Sequence, residues 1–404
     1  MNLKNIYFFL PCKCVGGSQY LFIRYAKAMA KYSKEYNVFY VDYTDGFART
    51  QITENSGITF VDYSDDVKVS IPSESVVINT LNHVRHFDSC IDYDKNKTLL
   101  LFWCVSCFDV YINRHLLTKS TRKEIGRLLS TMSKNGQICY LNDSDHYLVS
   151  LQYIPDNFVV NTLPILIEDK WNRPMNDSVA IGNPVRFCWL GRIDSDKLND
   201  ILSYINDLKS LSRDLSLSLT LIGLGDRIQY VQDYIKKIGF PVNFMGELLG
   251  EALDDYIKNN TDIGLASGTS SLEFSLRAKP TIQLWKAEKP YKAGECKRYH
   301  LPEYEYDRTR TTEKIVAIQG QNTFRKIFDL IYNDYKGYCS QAYLFAQKHF
   351  PENGALLLKE RIDSLQSLNL AENQNQLNRL SKMLSVGRKR MSLISSLKSK
   401  LFKK

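Results

Sequence analysis

Apolar residues in this chain come in short, nearly continuous runs, each followed by a longer polar or amphipathic stretch. Asn5–Leu10, Val38–Val41, Ile58–Val61, Val76–Asn79, Leu99–Trp103 and Ile138–Leu141 are such runs in the first half. Runs with little polar alternation are what parallel strands covered on both faces require. Helical spacing fills several gaps, clearest over Tyr20–Lys31 and Thr121–Ser133. This alternation predicts a doubly wound sheet over residues 1–164. The pattern then lapses into Pro, Asn, Asp and Gly, ending at Gly182-Asn-Pro184, which predicts a linker over 165–184.

From 185 to 338 the alternation restarts. Strands are predicted at Arg186–Leu190, Leu217–Ile222, Val242–Met245, Ile263–Ala266 and Thr281–Leu284. Helices are predicted at Lys197–Leu211, Arg227–Ile238, Gly250–Asn259 and Ser271–Ala278. The stretch 339–366 reads as helices crossing the back of both domains, and 367–404 as a basic helical tail. The expected fold class is α/β: two Rossmann-like domains facing across a cleft.

The chain of 404 residues is long enough for two ordinary cores. Its nine Cys are scattered, and the opening Ile6–Leu10 run is too short for a signal or a membrane span. A reducing cytoplasm is the compartment this predicts. The net charge of +9 is unevenly placed: no acid follows Glu372, but nine Lys and Arg do. Residues 1–372 therefore hold 44 basic and 44 acidic side chains, and the basicity belongs to the tail.

Chemistry concentrates at strand ends. Gly16-Gly17-Ser18-Gln19 follows the first strand, where two glycines let backbone approach a ligand, although a plain tight turn explains them as well. Gly191-Arg192, with Lys197 beyond, follows the first strand of the second domain; Arg and Lys there can neutralise a diphosphate, or be solvated surface cations. Ser267-Gly268-Thr269-Ser270-Ser271 opens a helix, where backbone N–H groups and the helix dipole favour a phosphate. Glu273, a turn further on, can accept from ribose hydroxyls or complement the dipole. Gly223 and Gly246 are expected near the nucleotide. Asp143, Asp145 and His146 are candidates for a base, as are His83 and His86. Asp143-Ser-Asp145 and Asp194-Ser-Asp196 resemble metal-binding triplets, and Cys12, Cys14, Cys104 and Cys107 raise the question of zinc. Arg, Lys and a helix terminus already supply the needed charge, and structural zinc usually shows tighter paired spacing, so neither a metal nor a cofactor is expected.

Together these residues resemble the group 1 glycosyltransferases of the GT-B fold, of the bacterial surface-polysaccharide type. The resemblance rests on Gly16-Gly17-Ser-Gln, Gly191-Arg192…Lys197, Gly223, Phe244-Met-Gly246, Glu273-Phe-Ser-Leu-Arg-Ala-Lys-Pro280 and Ala346–Ile362. It implies an N-terminal acceptor domain and a C-terminal domain holding a nucleoside diphosphate sugar. Gly16, Gly17, Arg192, Lys197 and Gly268–Ser271 would hold the diphosphate, and Glu273 the ribose. Two departures stand out. Leu265 occupies the position of the family's first paired glutamate, and Phe102-Trp103-Cys104 stands where the family has a histidine.

In the tail, Leu377, Leu380, Leu384, Met391, Ile394 and Leu401 recur at helical spacing among the bases. Such a helix is expected to lie on an anionic membrane surface, making the protein peripheral on the inner face of the cytoplasmic membrane. Few aromatics accompany the bases, so no nucleic-acid partner is expected. The implied activity is transfer of a hexose-type unit to a glycan, lipid-linked, in O-antigen or capsule assembly. A nucleotide-sugar 2-epimerase of the same fold and a silent sugar-nucleotide binder are the alternatives.

Overall fold

The computed structural model describes residues 4–14, 17–85, 87–105, 109, 117–141, 149, 153, 161–167, 180–284, 287, 289–296, 299–302, 322–365 and 375–385. The chain divides into two compact units: residues 1–168 with 350–404, and residues 169–349.

In the first unit the strands are β1 (Asn5–Phe9), β2 (Asn37–Asp42), β3 (Ile58–Asp62), β4 (Val69–Ile71), β5 (Ser75–Thr80), β6 (Ile91–Tyr93), β7 (Thr98–Cys104) and β8 (Ile138–Tyr140). Six of them form a sheet in the order β3-β2-β1-β5-β7-β8, while β4 and β6 pair separately. All neighbours in the six-stranded sheet run parallel, with Asn5 opposite Asn37 on one side and Ser75 on the other. Every residue of β5 and β7 is buried, the state that the apolar runs at their centres, Val76–Ile78 and Leu99–Trp103, predict. The helix Gly17–Tyr32 connects β1 to β2, and Lys119–Lys134 leads into β8. The latter is capped by Thr118, whose side chain accepts from the Thr121 N–H at 3.1 Å.

Two later segments complete this unit. The helix Pro351–Leu365 packs on Gly17–Tyr32. It comes close enough that a Cβ on Gly354 would lie 2.4 Å from the Leu166 side chain. The second is helix 375–385, and it corrects the reading of the tail. Leu377, Leu380 and Leu384 are buried in the first unit's core with Ile125, Leu128 and Met132. Their apolar face is covered by the protein itself, and Arg379 pairs with Glu124 at 2.6 Å. These three leucines are therefore not part of a membrane face; Met391, Ile394 and Leu401 lie outside the described residues.

The second unit repeats the architecture with β9 (Val185–Leu190), β10 (Leu217–Ile222), β11 (Val242–Gly246), β12 (Ile263–Leu265), β13 (Thr281–Leu284) and β14 (Tyr299–His300). The order is β11-β10-β9-β12-β13-β14, parallel except for the antiparallel edge strand β14. Helices Leu198–Leu211, Ile228–Ile238, Gly250–Asn260 and Thr269–Leu276 form the connections, followed by Phe324–Asn333 and Tyr335–Gln347. Arg186 in β9 grips Asp262, just before β12, through Nε at 3.0 Å and Nη2 at 2.7 Å. This bidentate pair fixes β9 beside β12.

Strand order reverses between β1 and β5 in the first sheet and between β9 and β12 in the second. At such a reversal the loops leaving two neighbouring strands diverge to opposite faces, opening a crevice at the carboxyl edge. Among the described residues no helix is long and apolar enough to cross a membrane.

Candidate functional site

The crevice of the second sheet is built by glycines. Gly191 leaves β9 with φ 149° and Gly223 leaves β10 with φ 142°. A Cβ on Gly223 would stand 2.0 Å from the Gly191 carbonyl oxygen, so only glycine permits this approach. Backbone bonds then tie the loops together. Gly191 N–H donates to Ile222 O (3.1 Å), Ile193 N–H to Leu224 O (2.9 Å), and Gly223 N–H to Gly246 O (2.7 Å). Gly223 and Gly246 are thus brought to one edge, beside the turn that carries Arg192.

Across the switch point, Lys197 precedes the helix Leu198–Leu211 and donates from Nζ to Ser267 Oγ at 2.8 Å. That bond joins the loop leaving β9 to the loop leaving β12. Arg192 is mostly solvent-exposed and pairs with Asp194 at 2.9 Å. Such an exposed pair is weak, so the guanidinium can exchange Asp194 for another anion. Asp196 N–H donates to Asp194 Oδ1 at 3.1 Å, which makes the Asp194-Ser-Asp196 triplet a local turn. Among the described residues no group of three or more His, Cys, Asp or Glu is placed to hold a metal.

Gly268 caps the helix Thr269–Leu276 with φ 62° and ψ −135°. The three residues after it differ in what they offer. Ser271 turns inward: its N–H (3.1 Å) and its hydroxyl (2.7 Å) both donate to Gly268 O, and its side chain is buried. Thr269 is exposed and Ser270 partly so, at the first turn where N–H groups have no intrahelical acceptor. The anion-binding expectation therefore narrows from four residues to the Gly268–Ser270 turn, with Ser271 as its support.

Glu273 is held from below. Arg277, one turn on, donates from Nη1 to Glu273 Oε2 (2.9 Å) and to the Glu273 carbonyl, and pairs through Nη2 with Asp254. The Arg277 side chain is only 5% exposed, and burial pushes its guanidinium down to about 10, still charged at neutral pH. A fixed cation beneath Glu273 keeps its carboxylate oriented. The sequence reading missed Arg277 and Asp254. A signal existed in the four-residue Glu–Arg spacing and in an Arg set among Leu276 and Ala278.

Leu265 ends β12 fully buried, so no polar group stands there. Trp103 and Cys104 at the end of β7 are buried as well. Gly17 opens a helix in the first unit. His83, also in the first unit, bonds through Nδ1 to Asn79 Oδ1 at 3.0 Å. Gly16, His86, Cys107, Asp143, Asp145 and His146 lie outside the described residues.

No protein-family model matches the chain, and no curated protein is similar to it in sequence. Solved structures do resemble it. The crystal structure of Anabaena HepE in complex with UDP-glucose superimposes with a TM-score of 0.52 at 12% identity, covering 90% of this chain and 100% of that one. HepE with UDP and glucose gives a TM-score of 0.52 at 12% identity over 91% and 100%. AviGT4, a glycosyltransferase involved in avilamycin A biosynthesis, gives 0.48 at 12% identity over 91% and 98%. The likeness to HepE, together with the two sheets and their strand order, gives the chain its fold class: α/β, with two Rossmann-like units of the GT-B type.

Proposed function

We propose that the chain is a glycosyltransferase that moves a sugar from a nucleoside diphosphate sugar to a glycan acceptor. One observation carries this reading: the Lys197–Ser267 bond at the switch point of the second sheet. It places a cation and the Gly268–Ser270 helix start at the same crevice, where α/β sheets bind their ligands. A diphosphate seated there gains charge as the glycosidic bond breaks, and Arg192, Lys197 and the helix terminus stabilise that charge. Glu273, oriented by Arg277, accepts hydrogen bonds from the ribose. The chain supplies the charge compensation, so the reading requires no metal or cofactor.

The fold likeness to a protein seen with UDP-glucose supports a uridine donor carrying a hexose. The acceptor is proposed to be a lipid-linked glycan of O-antigen or capsule synthesis, met at the inner face of the cytoplasmic membrane. Support for that comes from the seven Lys and Arg after residue 385, with no acid among them. Leu265, in place of a carboxylate, favours a second reading, a silent sugar-nucleotide binder.

The test is a donor panel with membrane extract as acceptor, following nucleoside diphosphate release by wild type and Glu273→Ala. Release that needs one donor and the extract, and collapses in the variant, is the expected result. Donor binding without release would favour the silent binder, and isomerised donor without extract a 2-epimerase.

A further inference from the structure

We propose that the helix Lys119–Lys134 and helix 375–385 form one basic face of the first unit that docks on an anionic lipid surface. The helix Lys119–Lys134 carries Lys119, Arg122, Lys123, Arg127 and Lys134 against a single acid, Glu124. Glu124 is already answered, by Arg127 Nε at 3.0 Å and by Arg379 of helix 375–385 at 2.6 Å. The latter helix adds Lys382 and no acid, so the pair of helices holds seven bases and one paired carboxylate. Residues 1–372 are formally neutral, so this surplus is a local segregation and not an excess spread over the body.

The bases are arranged in a row. At about 3.6 residues per turn, Lys119, Lys123, Arg127 and Lys134 fall within about 80° of the helix circumference, over about 22 Å of its length. All four are exposed, whereas Ile125, Leu128, Leu129 and Met132 on the other side are buried in the core. This arrangement works against the helix. Lys119, Lys123 and Arg127 repel one another at successive four-residue steps. Lys119, Arg122 and Lys123 also stand near the positive end of the helix dipole, with no acid in the first turn to offset them. Folding gains nothing from either placement, and a local conflict of this kind points to a use outside the fold.

A lipid surface fits this face. The row of charge is accompanied by Ser120, Thr121 and Thr131, and the helix has no aromatic residue on which a base could stack. In sequence, helix 375–385 leads into residues 386–404, whose seven bases and no acid extend the same charge. Each base near an anionic surface tightens binding about fivefold. The four bases of the row alone therefore give a dissociation constant on the order of a millimolar, too weak to hold the protein without the tail. Their part is to set which face of the first unit meets the lipid. The choice of lipid over another polyanion rests on the proposed function, which sets the protein at a membrane.

The test is flotation of the full chain with mixed phosphatidylglycerol–phosphatidylcholine vesicles, against vesicles of phosphatidylcholine alone. Binding that needs phosphatidylglycerol is expected. The triple variant Lys119→Gln, Lys123→Gln, Lys134→Gln should weaken it at least about tenfold. Lys236→Gln, Lys237→Gln and Lys326→Gln together remove the same charge from exposed positions of the second unit, and should change it by no more than about twofold. Because the first variant relieves like-charge repulsion, its urea midpoint should not fall. Equal vesicle binding by the wild type and that variant, an equal loss in the second-unit variant, or a lowered urea midpoint would overturn the proposal. So would displacement of the vesicles by a duplex DNA oligonucleotide, which would place a nucleic acid on this face. The measurement uses neither nucleotide nor turnover, so its failure leaves the donor site standing. Binding that depends on the tail but ignores the row would strike this inference alone.

Discussion

At the scale of single residues, the donor site depends on Arg277 as much as on Glu273. Arg277 bridges Glu273 and Asp254 with two nitrogens of one plane, which a lysine ammonium cannot do. Arg277→Lys should keep the fold but raise the donor KM about tenfold, with a smaller change in kcat, because the loss is in donor positioning. Arg277→Ala should cost roughly 3–5 kcal/mol of stability, since it strands two carboxylates. Steady-state kinetics and urea denaturation check the pair. If the lysine variant bound donor normally, Arg277 would be a packing residue only. Such residues divide in how readable they are. Gly191, Gly223 and Lys197 could be found because turn chemistry is local. Asp254 could not, because the Arg277 that it pairs with stands at the end of a different helix.

At the scale of elements, the strands were legible to within a residue or two. Continuous Leu, Phe and Trp runs leave a strand no polar face to expose, as β7 illustrates. Short pieces such as Val69–Ile71 and Tyr299–His300 carry too few residues to register a period. Helix 375–385 is instructive. Leucines at helical spacing look the same whether they meet lipid or protein, and their partners Ile125 and Leu128 lie far away in sequence. Leu380 is fully buried, so Leu380→Ala should cost about 2–5 kcal/mol by urea denaturation. The same docking should depend on pH. Arg127, and then Arg379, hold the Glu124 carboxyl below its usual range. A carboxylate with a lowered value contributes its stability above its ordinary value near ~4.3 and loses it as pH falls through the lowered one. Protection factors for the amides of 375–385, exchange rates taken relative to the unstructured chain at the same pH, should therefore fall on acidification, by less in Glu124→Gln. The pair is partly exposed, so the effect is modest.

At the scale of the whole molecule, charge is segregated. The body to residue 372 is formally neutral, while residues 386–404 carry seven bases and no acid. Each base near an anionic surface contributes about 1 kcal/mol, so several suffice for reversible docking. Vesicles containing phosphatidylglycerol should bind the full chain in low salt and release it in high salt. A chain ending at residue 385, which keeps the buried leucines, should not bind. Equal binding by both would place the membrane contact elsewhere.

The crevice between β9 and β12 is proposed to hold a nucleoside diphosphate, and calorimetric titration with UDP reads that binding without any acceptor. One site per chain is expected, weakened about 10- to 100-fold in Glu273→Gln by loss of a charged acceptor and at least tenfold in Lys197→Ala. Absence of UDP binding by the folded protein, or binding that neither substitution changes, would contradict it.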